Sequence, residues 1–362
     1  MSKRNTDVQV EADDEIDLEA ALDAYLDDDD ARVAKIMGPL EACYVTSARD
    51  EKIEAQIKRL IKNSRKPRFP NRPPGPGNRK AGVGFAIVGE SGSGKTEALQ
   101  VMLSAHPAFP GYGIEGARCL LVTVLAPAPC TLGVFGNSIL EALGYGTIKP
   151  LRENEAWKRV RFHLKALGIM FLHIDDIHNV LHQASESEIA KVADTLRNLM
   201  ISTSWPVQLI ISGTDKIVDF TEKDRQLSRR LKFVAFEDID PKADAEWITE
   251  AVEDFAKTAG LKVVFEPEDS LIERLCRAAA FQMGLIFEIL LAAIEISVTA
   301  KRKVLKRDDF AAAYADRIVQ PEDLNMFLSP VWFDLDPSVI LKKAEDEEEP
   351  ATVHKRKVVR KY

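Results

Sequence analysis

The chain has 362 residues, 46% of them apolar, with 49 basic against 57 acidic side chains and a formal charge of −8. Its length suits one large domain or two unequal ones, and its apolar fraction fills a sizeable core. The negative balance excludes a chain-wide attraction to nucleic acid, so any DNA contact has to come from a local patch.

Residues 1–31 are dominated by acid, ending in LDDDDA, and such like-charge blocks read as a disordered, solvated tail. A short partner-binding helix over EIDLEAALDAYL is the alternative. Residues 32–80 read as a helical segment and a linker. Ile53, Ile57, Leu60 and Ile61 share one face of EKIEAQIKRLIKN, the spacing of a helix with one buried side. SRKPRFPNRPPGPGNRK then excludes a helix or a central strand. It reads as a linker whose cations are either solvated or in touch with phosphates.

From 81 to 240 short apolar runs alternate with helical stretches. GFAIVG, CLLVTVLA, IMFLHID, VQLIISG and KFVAF read as buried strands. The stretches KTEALQVMLSA, TLGVFGNSILEALG, ENEAWKRVRFHLKALG and SESEIAKVADTLRNLM lie between them. This alternation predicts an α/β fold, a parallel sheet sandwiched by helices. Residues 241–320 are almost wholly helical in pattern and read as a smaller helical lid. Residues 321–362 form a tail in which PVWFDLDPSVI precedes an acidic and then a basic run. PVWFDLDPSVI either docks back onto the body or hooks a partner.

Four cysteines, Cys43, Cys119, Cys130 and Cys276, stand too far apart for metal or redox spacing and read as reduced thiols. No apolar signal core opens the chain. GLIFEILLAAIEI is interrupted by Glu288 and Glu295 and is too short to span a bilayer. A soluble, cytoplasmic protein without membrane contact is the expectation.

FAIVGESGSGKTEAL carries G-x-x-x-x-G-K-T as Gly89, Gly94, Lys95 and Thr96, after an apolar strand and before a helix. The glycines let backbone N–H groups turn toward phosphates, and the helix presents its positive end to them. The cradle is Gly89, Glu90, Ser91, Gly92, Ser93, Gly94, Lys95, Thr96 and Glu97. Lys95 is expected at the β- and γ-phosphates of ATP, and the Thr96 hydroxyl at Mg2+. ATP cannot be told from GTP, because no base-reading motif is visible.

About eighty residues later, MFLHIDDIHNV ends an apolar strand in Asp175 and Asp176. Asp175 is expected to hold the Mg2+ hydration shell, and Asp176 to orient or deprotonate the attacking water. The competing reading is a directly bound metal on His173, Asp175, Asp176 and His178, with His182 at i,i+4 from His178. No distant His or Cys cluster completes that set. In VQLIISGTDKI, Thr214 or Ser212 at the strand end either senses the γ-phosphate, holds the lytic water or makes an ordinary turn. In RQLSRRLKFVAF, Arg229 and Arg230 either reach a neighbouring subunit's γ-phosphate or form surface ion pairs.

A P-loop, an acidic strand end, a polar strand end, arginines before a last strand and a helical lid follow in an order that resembles the AAA+ ATPases. Within them, the chain is similar to the TniB/TnsC group of transposition regulators over about residues 45–320. GFAIVGESGSGKTEAL, VTVLAPAPCTLGVFGNSILEALG, FLHIDDIHNVL, LIISGTDKI and RQLSRRLKF carry the likeness. The resemblance implies Mg-dependent ATP hydrolysis and assembly into rings or helical filaments on double-stranded target DNA. It also implies partnership with a DDE-type transposase, often with a TniQ-like target selector, in a nucleoid-associated place in a bacterial cytoplasm. The chain departs from the pattern twice. Asp175–Asp176 stands where Asp-Glu is usual, which implies slow hydrolysis. Gly284 leads into LIFEIL without the arginine such lids often carry.

For DNA, Lys158, Arg161 and Lys165 fall beside an apolar stripe of Trp157, Val160, Leu164 and Leu167. They form either a cationic ridge for a phosphate backbone or a plain solvated face. The tail HKRKVVRKY either adds sequence-independent contacts or engages an acidic partner surface. Two other functions stay open: a nucleotide-dependent scaffold with negligible hydrolysis, and another AAA+ role such as helicase loading or secretion.

Overall fold

The structure, a computed structural model, describes residues 22, 25–128, 130–146, 149–180, 185–222, 224–264, 266 and 269–342. Five parallel strands form the central sheet in the order β2-β3-β4-β1-β5. They are β1 (Gly84–Val88), β2 (Leu121–Leu125), β3 (Phe171–Asp175), β4 (Gln208–Gly213) and β5 (Leu231–Ala235). β3 and β4 are buried along their whole length, which is why they read as unbroken apolar runs rather than alternating ones.

Before the sheet in the chain come α1 (Asp28–Glu41) and α2 (Ala48–Ser64). The pleat divides the strand side chains between two layers. Phe85, Ile87, Phe171 and Ile210 point to one face, where they meet α2 and α3 (Lys95–Ser104). Ile53, Ile57 and Leu60 of α2 are fully buried in this layer, each contributing roughly 1.5–3 kcal/mol by leaving water. Ala86, Leu172, Ile174, Leu209 and Ile211 point to the other face. It is covered by α4 (Leu132–Ala142), α5 (Glu153–Ala166), α6 (Glu186–Ile201) and α7 (Lys216–Glu222). A short helix, α8 (Arg225–Ser228), precedes β5.

A third core belongs to the helices after the sheet: α9 (Ala245–Thr258), α10 (Leu271–Ala278), α11 (Met283–Thr299) and α12 (Arg307–Arg317). A two-stranded ribbon, β6 (Lys262–Val263) with β7 (Val304–Leu305), ties them together. Two further segments join this core. Met37 and Leu40 of α1 are buried in it, and Arg32 donates to the carbonyl of Val298 at 3.2 Å. Met326, Phe327 and Ile340, from the stretch after α12, are buried there too. That stretch is strapped down by arginines. Arg274 donates to the carbonyls of Met326 and Ser329 and lies over Trp332 at 5.1 Å, while Arg277 donates to Leu335. PVWFDLDPSVI thus packs on the lid.

Two expectations change in detail. α1 starts at Asp28, inside the stretch expected to be tail, because Asp27 and Asp30 form a reciprocal capping box and the acids of the first turn suit the positive helix end. The proline-rich stretch at 65–80 has no helix or strand, yet it is pinned. The buried Asn78 side chain bonds the backbone of Phe69, Arg72 and Pro73. EIDLEAALDAYL, His182 and HKRKVVRKY lie wholly or largely outside the described residues. Among the described residues no single helix is long and apolar enough to cross a membrane.

Candidate functional site

β1 delivers the chain at Gly89, and α3 takes it up at Lys95. Gly94 caps α3 in the left-handed region, with φ 87° and no side-chain cap, a conformation that suits glycine. The first-turn N–H groups are thereby left for an acceptor from outside the helix. Lys95 is buried, and its Nζ curls over the loop to donate to the carbonyls of Gly89 at 3.0 Å and Glu90 at 2.8 Å. Glu90, Ser91, Gly92, Ser93, Gly94, Lys95, Thr96 and Glu97 all line a cavity of about 690 Å³.

The loop and the aspartates meet. Thr96 Oγ1 donates to Asp175 Oδ2 at 2.9 Å. Asp175 Oδ1 accepts from the Ser212 hydroxyl and from the N–H of Asp176. Donors from α3, β4 and its own strand end therefore hold Asp175 in place. A polar chain runs on beneath it: Ser212 Oγ to His173 Nε2 at 2.9 Å, His173 Nδ1 to Thr123 at 3.1 Å, and Thr123 to the Tyr112 hydroxyl at 2.8 Å. Burial pulls His173 down to about 4, against the opposing pull of Asp175. The imidazole is therefore neutral near pH 7, and it bonds to hydroxyls on two neighbouring strands. Among the described residues no group of three or more His, Cys, Asp or Glu side chains is placed to hold a metal ion, against the directly bound metal.

Asp176 lines the cavity with φ 50°, a left-handed conformation that aspartate tolerates better than most residues. Its Oδ1 lies 3.8 Å from Nδ1 of the buried His178. Thr214 also lines the cavity, and its buried Oγ1 has no hydrogen-bond partner among the described residues. An orphaned buried hydroxyl is costly unless a ligand completes it. Together with the uncapped helix end, it fits a bound phosphate group.

The structure does not bring the remaining predicted residues into this cavity. Arg229 and Arg230 precede β5 at the end of the sheet away from the P-loop, since Leu231 pairs with Gly84 while Ala235 pairs with Val88. Arg229 is exposed, whereas Arg230 is partly buried and donates to the Gly82 carbonyl at 3.4 Å. Lys158, Arg161 and Lys165 are exposed on α5, with Phe162 between them at 66% exposure. Leu167 leaves the expected apolar stripe. It caps the helix end and is 46% exposed.

Sequence reasoning missed the other walls of the cavity. Tyr44 and Val45 come from the turn between α1 and α2, and Arg49 from the first turn of α2; Phe287 and Leu291 come from α11; Leu341 comes from the C-terminal strap. Arg49 lies over Phe236 at 5.0 Å and donates to the carbonyls of Ser93 and Glu237. The lid touches the P-loop directly. Leu285 N–H donates to the Gly92 carbonyl at 3.1 Å, and a Cβ on Gly284 would stand 2.5 Å from that same oxygen. One signal was available: Ser47 and Asp50 form the capping box that starts α2, and it sets 43–47 as the approach to the cavity.

Residues 41–240, more than half of the chain, match the family described as Bacterial TniB protein. The chain belongs to the TniB family. Solved structures place this TniB chain among the AAA+ P-loop folds. It is similar to Cdc6p from Pyrobaculum aerophilum at 15% identity and a TM-score of 0.53, over 77% of this chain and 70% of that one. It is similar to the ORC1 protein of Aeropyrum pernix, solved in complex with DNA, at 17% identity and a TM-score of 0.52, over 78% and 68%. The ORC2 protein of Aeropyrum pernix, solved in ADPNP–ADP complexes, aligns at 15% identity and a TM-score of 0.52, over 76% and 71%. No curated protein matches this TniB chain in sequence.

Proposed function

We propose that this TniB-family chain is an ATP-dependent DNA-binding protein. It oligomerises on target DNA, recruits or activates a DDE-type transposase, and disassembles when ATP is hydrolysed. The observation that carries the nucleotide part is the 2.9 Å bond between Thr96 and Asp175. It joins the two side chains that a P-loop site uses to hold Mg2+. In this reading Lys95 and the loop N–H groups would hold the triphosphate, Thr96 and Asp175 would hold an Mg2+ that would offset its charge, Thr214 would contact the γ-phosphate and Asp176 would orient water. Arg229 and Arg230 serve a neighbouring subunit's site.

Support for the DNA part is coarser: family membership, a fold shared with a protein solved on DNA, and the exposed ridge of Lys158, Arg161 and Lys165. A TniQ-like target selector and a nucleoid-associated location follow from the family resemblance. Filter binding to duplex DNA with a non-hydrolysable ATP analogue tests it, with Lys95→Ala as comparison. The expected result is salt-sensitive, nucleotide-dependent retention that the variant loses. Retention indifferent to both nucleotide and salt would remove the reading.

One observation favours a second reading, a nucleotide-dependent scaffold with negligible turnover. Asp176 is a methylene shorter than glutamate and is held in a left-handed conformation. Single-turnover hydrolysis with DNA present separates the two.

A further inference from the structure

No acidic residue occurs between Glu54 and Glu90, a stretch with nine lysines and arginines, nor between Asp224 and Glu237, which holds four more. The fold brings these two stretches together. Gly84 pairs with Leu231 where β1 and β5 begin, and Arg230 reaches the Gly82 carbonyl. Lys58, Lys62 and Arg65 form an exposed stripe down α2, which runs on through exposed Arg68, Arg72 and Lys80 in the loop. None of these six is paired with a carboxylate among the described residues. Of the acids that flank these stretches, Glu54 lies 3.6 Å from His106, and Asp224 is held by Arg197, which also pairs with Asp194 on α6.

The loop that carries these charges is held in shape. Asn78 clamps its backbone, Gly77 N–H donates to the Ser204 carbonyl, and Arg79 stacks over Trp205 at 4.5 Å. Burial and the nearby Arg65 both disfavour the charge on Arg79, the condition of a cation among cations with no anion beside it. Phe69 is 53% exposed at the tip. Like charges held together without counter-charges repel; the negative charge of a phosphate backbone relieves that repulsion, and its condensed counterions are released in the process.

We propose that this cationic face, at the end of the sheet opposite the nucleotide cavity, grips the phosphate backbone of duplex DNA without reading bases. The proposal rests on the DNA-binding reading above and adds a second contact surface to the α5 ridge. The five residues of β1 lie between it and the P-loop, roughly 13 Å of backbone rise from Gly84 to Val88, so it is spatially distinct from the triphosphate site.

The test is fluorescence anisotropy of a labelled duplex with the full chain and a non-hydrolysable ATP analogue, across a salt series. The combined variant Arg65→Gln, Arg68→Gln, Arg72→Gln and Lys80→Gln is expected to bind at least about tenfold more weakly. Its plot of log affinity against log salt should flatten by about 0.9 for each phosphate it no longer neutralises. Its thermal melt should match the parent, since all four side chains are exposed. If the parent chain binds and the variant keeps its affinity and slope, this face is not the site and the DNA reading stands on other residues. If the parent chain itself fails to bind, both fall. Competition by poly-glutamate as strong as by unlabelled duplex of equal charge would also overturn it, because the face would then register charge alone.

Discussion

Nε2 of His173 lies 2.9 Å from Ser212 Oγ, and the Ser212 hydroxyl donates in turn to Asp175. A neutral imidazole has one N–H, so His173 carries its proton on Nε2 and accepts from Thr123 on Nδ1. Every donation in the chain from Tyr112 to Asp175 then runs the same way, toward the carboxylate. The result is a row of donors aimed at Asp175 and carried by a scaffold that spans three strands.

This arrangement sets a pH dependence. His173 takes up a proton near 6.5 in the unfolded chain but only near about 4 when folded. Between these values the unfolded state binds more protons, so stability rises with pH; it is complete above the upper value and is lost as pH falls toward the lower. Urea unfolding in nucleotide-free buffer with EDTA should show the loss between about pH 6.5 and about pH 4. His173→Gln should flatten this part of the profile. An unchanged slope in the variant would place the titration elsewhere.

Asp176 with φ 50° carries a backbone cost of up to about 1 kcal/mol that glycine would not. Asp176→Gly should therefore melt no lower than the parent, and up to a few degrees higher, while losing ATP turnover. A clear fall in melting temperature would mean that the Asp176 carboxylate stabilises the fold by more than its backbone strains it.

The unpartnered Thr214 hydroxyl gives the opposite of the usual pattern for a buried polar residue. Thr214→Val removes an unsatisfied group whose burial costs roughly 1–3 kcal/mol, so stability should hold or rise. Turnover should drop at least about tenfold, as for a missing bond to a charged ligand. Equal turnover in parent and variant would detach Thr214 from the nucleotide.

Arg229 and Arg230 differ in exposure and bonding, and their variants should differ too. Arg230→Ala removes a bond to Gly82 and should cost stability by about 1 kcal/mol. Arg229→Ala should leave the melt unchanged and reduce DNA-stimulated turnover. Mixing it with Lys95→Ala protein tests whether Arg229 acts on a neighbour's site. Rescue by mixing is expected, and full turnover by Arg229→Ala alone would exclude that role.

The sheet was legible because its strands are buried on both faces and its glycine loop has a fixed spacing; both are local properties of the sequence. Asp175 was legible for the same reason, as a carboxylate at the end of an apolar run. The rest depends on segments far apart in sequence. Leu341 reaches the cavity from the far end of the described chain, and Gly284 matters because Gly92 lies against it; no periodicity records either approach. Tyr44 and Arg49 were hidden differently. Tyr44 sits in a short turn and Arg49 in the first helical turn after it, where composition alone does not tell a wall from a connection. The start of α1 was missed because four aspartates suggest repulsion, while Asp27 and Asp30 in fact satisfy each other's backbone.

The strap after α12 has a mechanical meaning. Ile340 is buried in the lid and its neighbour Leu341 faces the cavity, so the two residues act as anchor and wall. A partner that grips the chain beyond residue 342 would pull on a wall of this cavity, and a dye attached there would report whether the cavity is full.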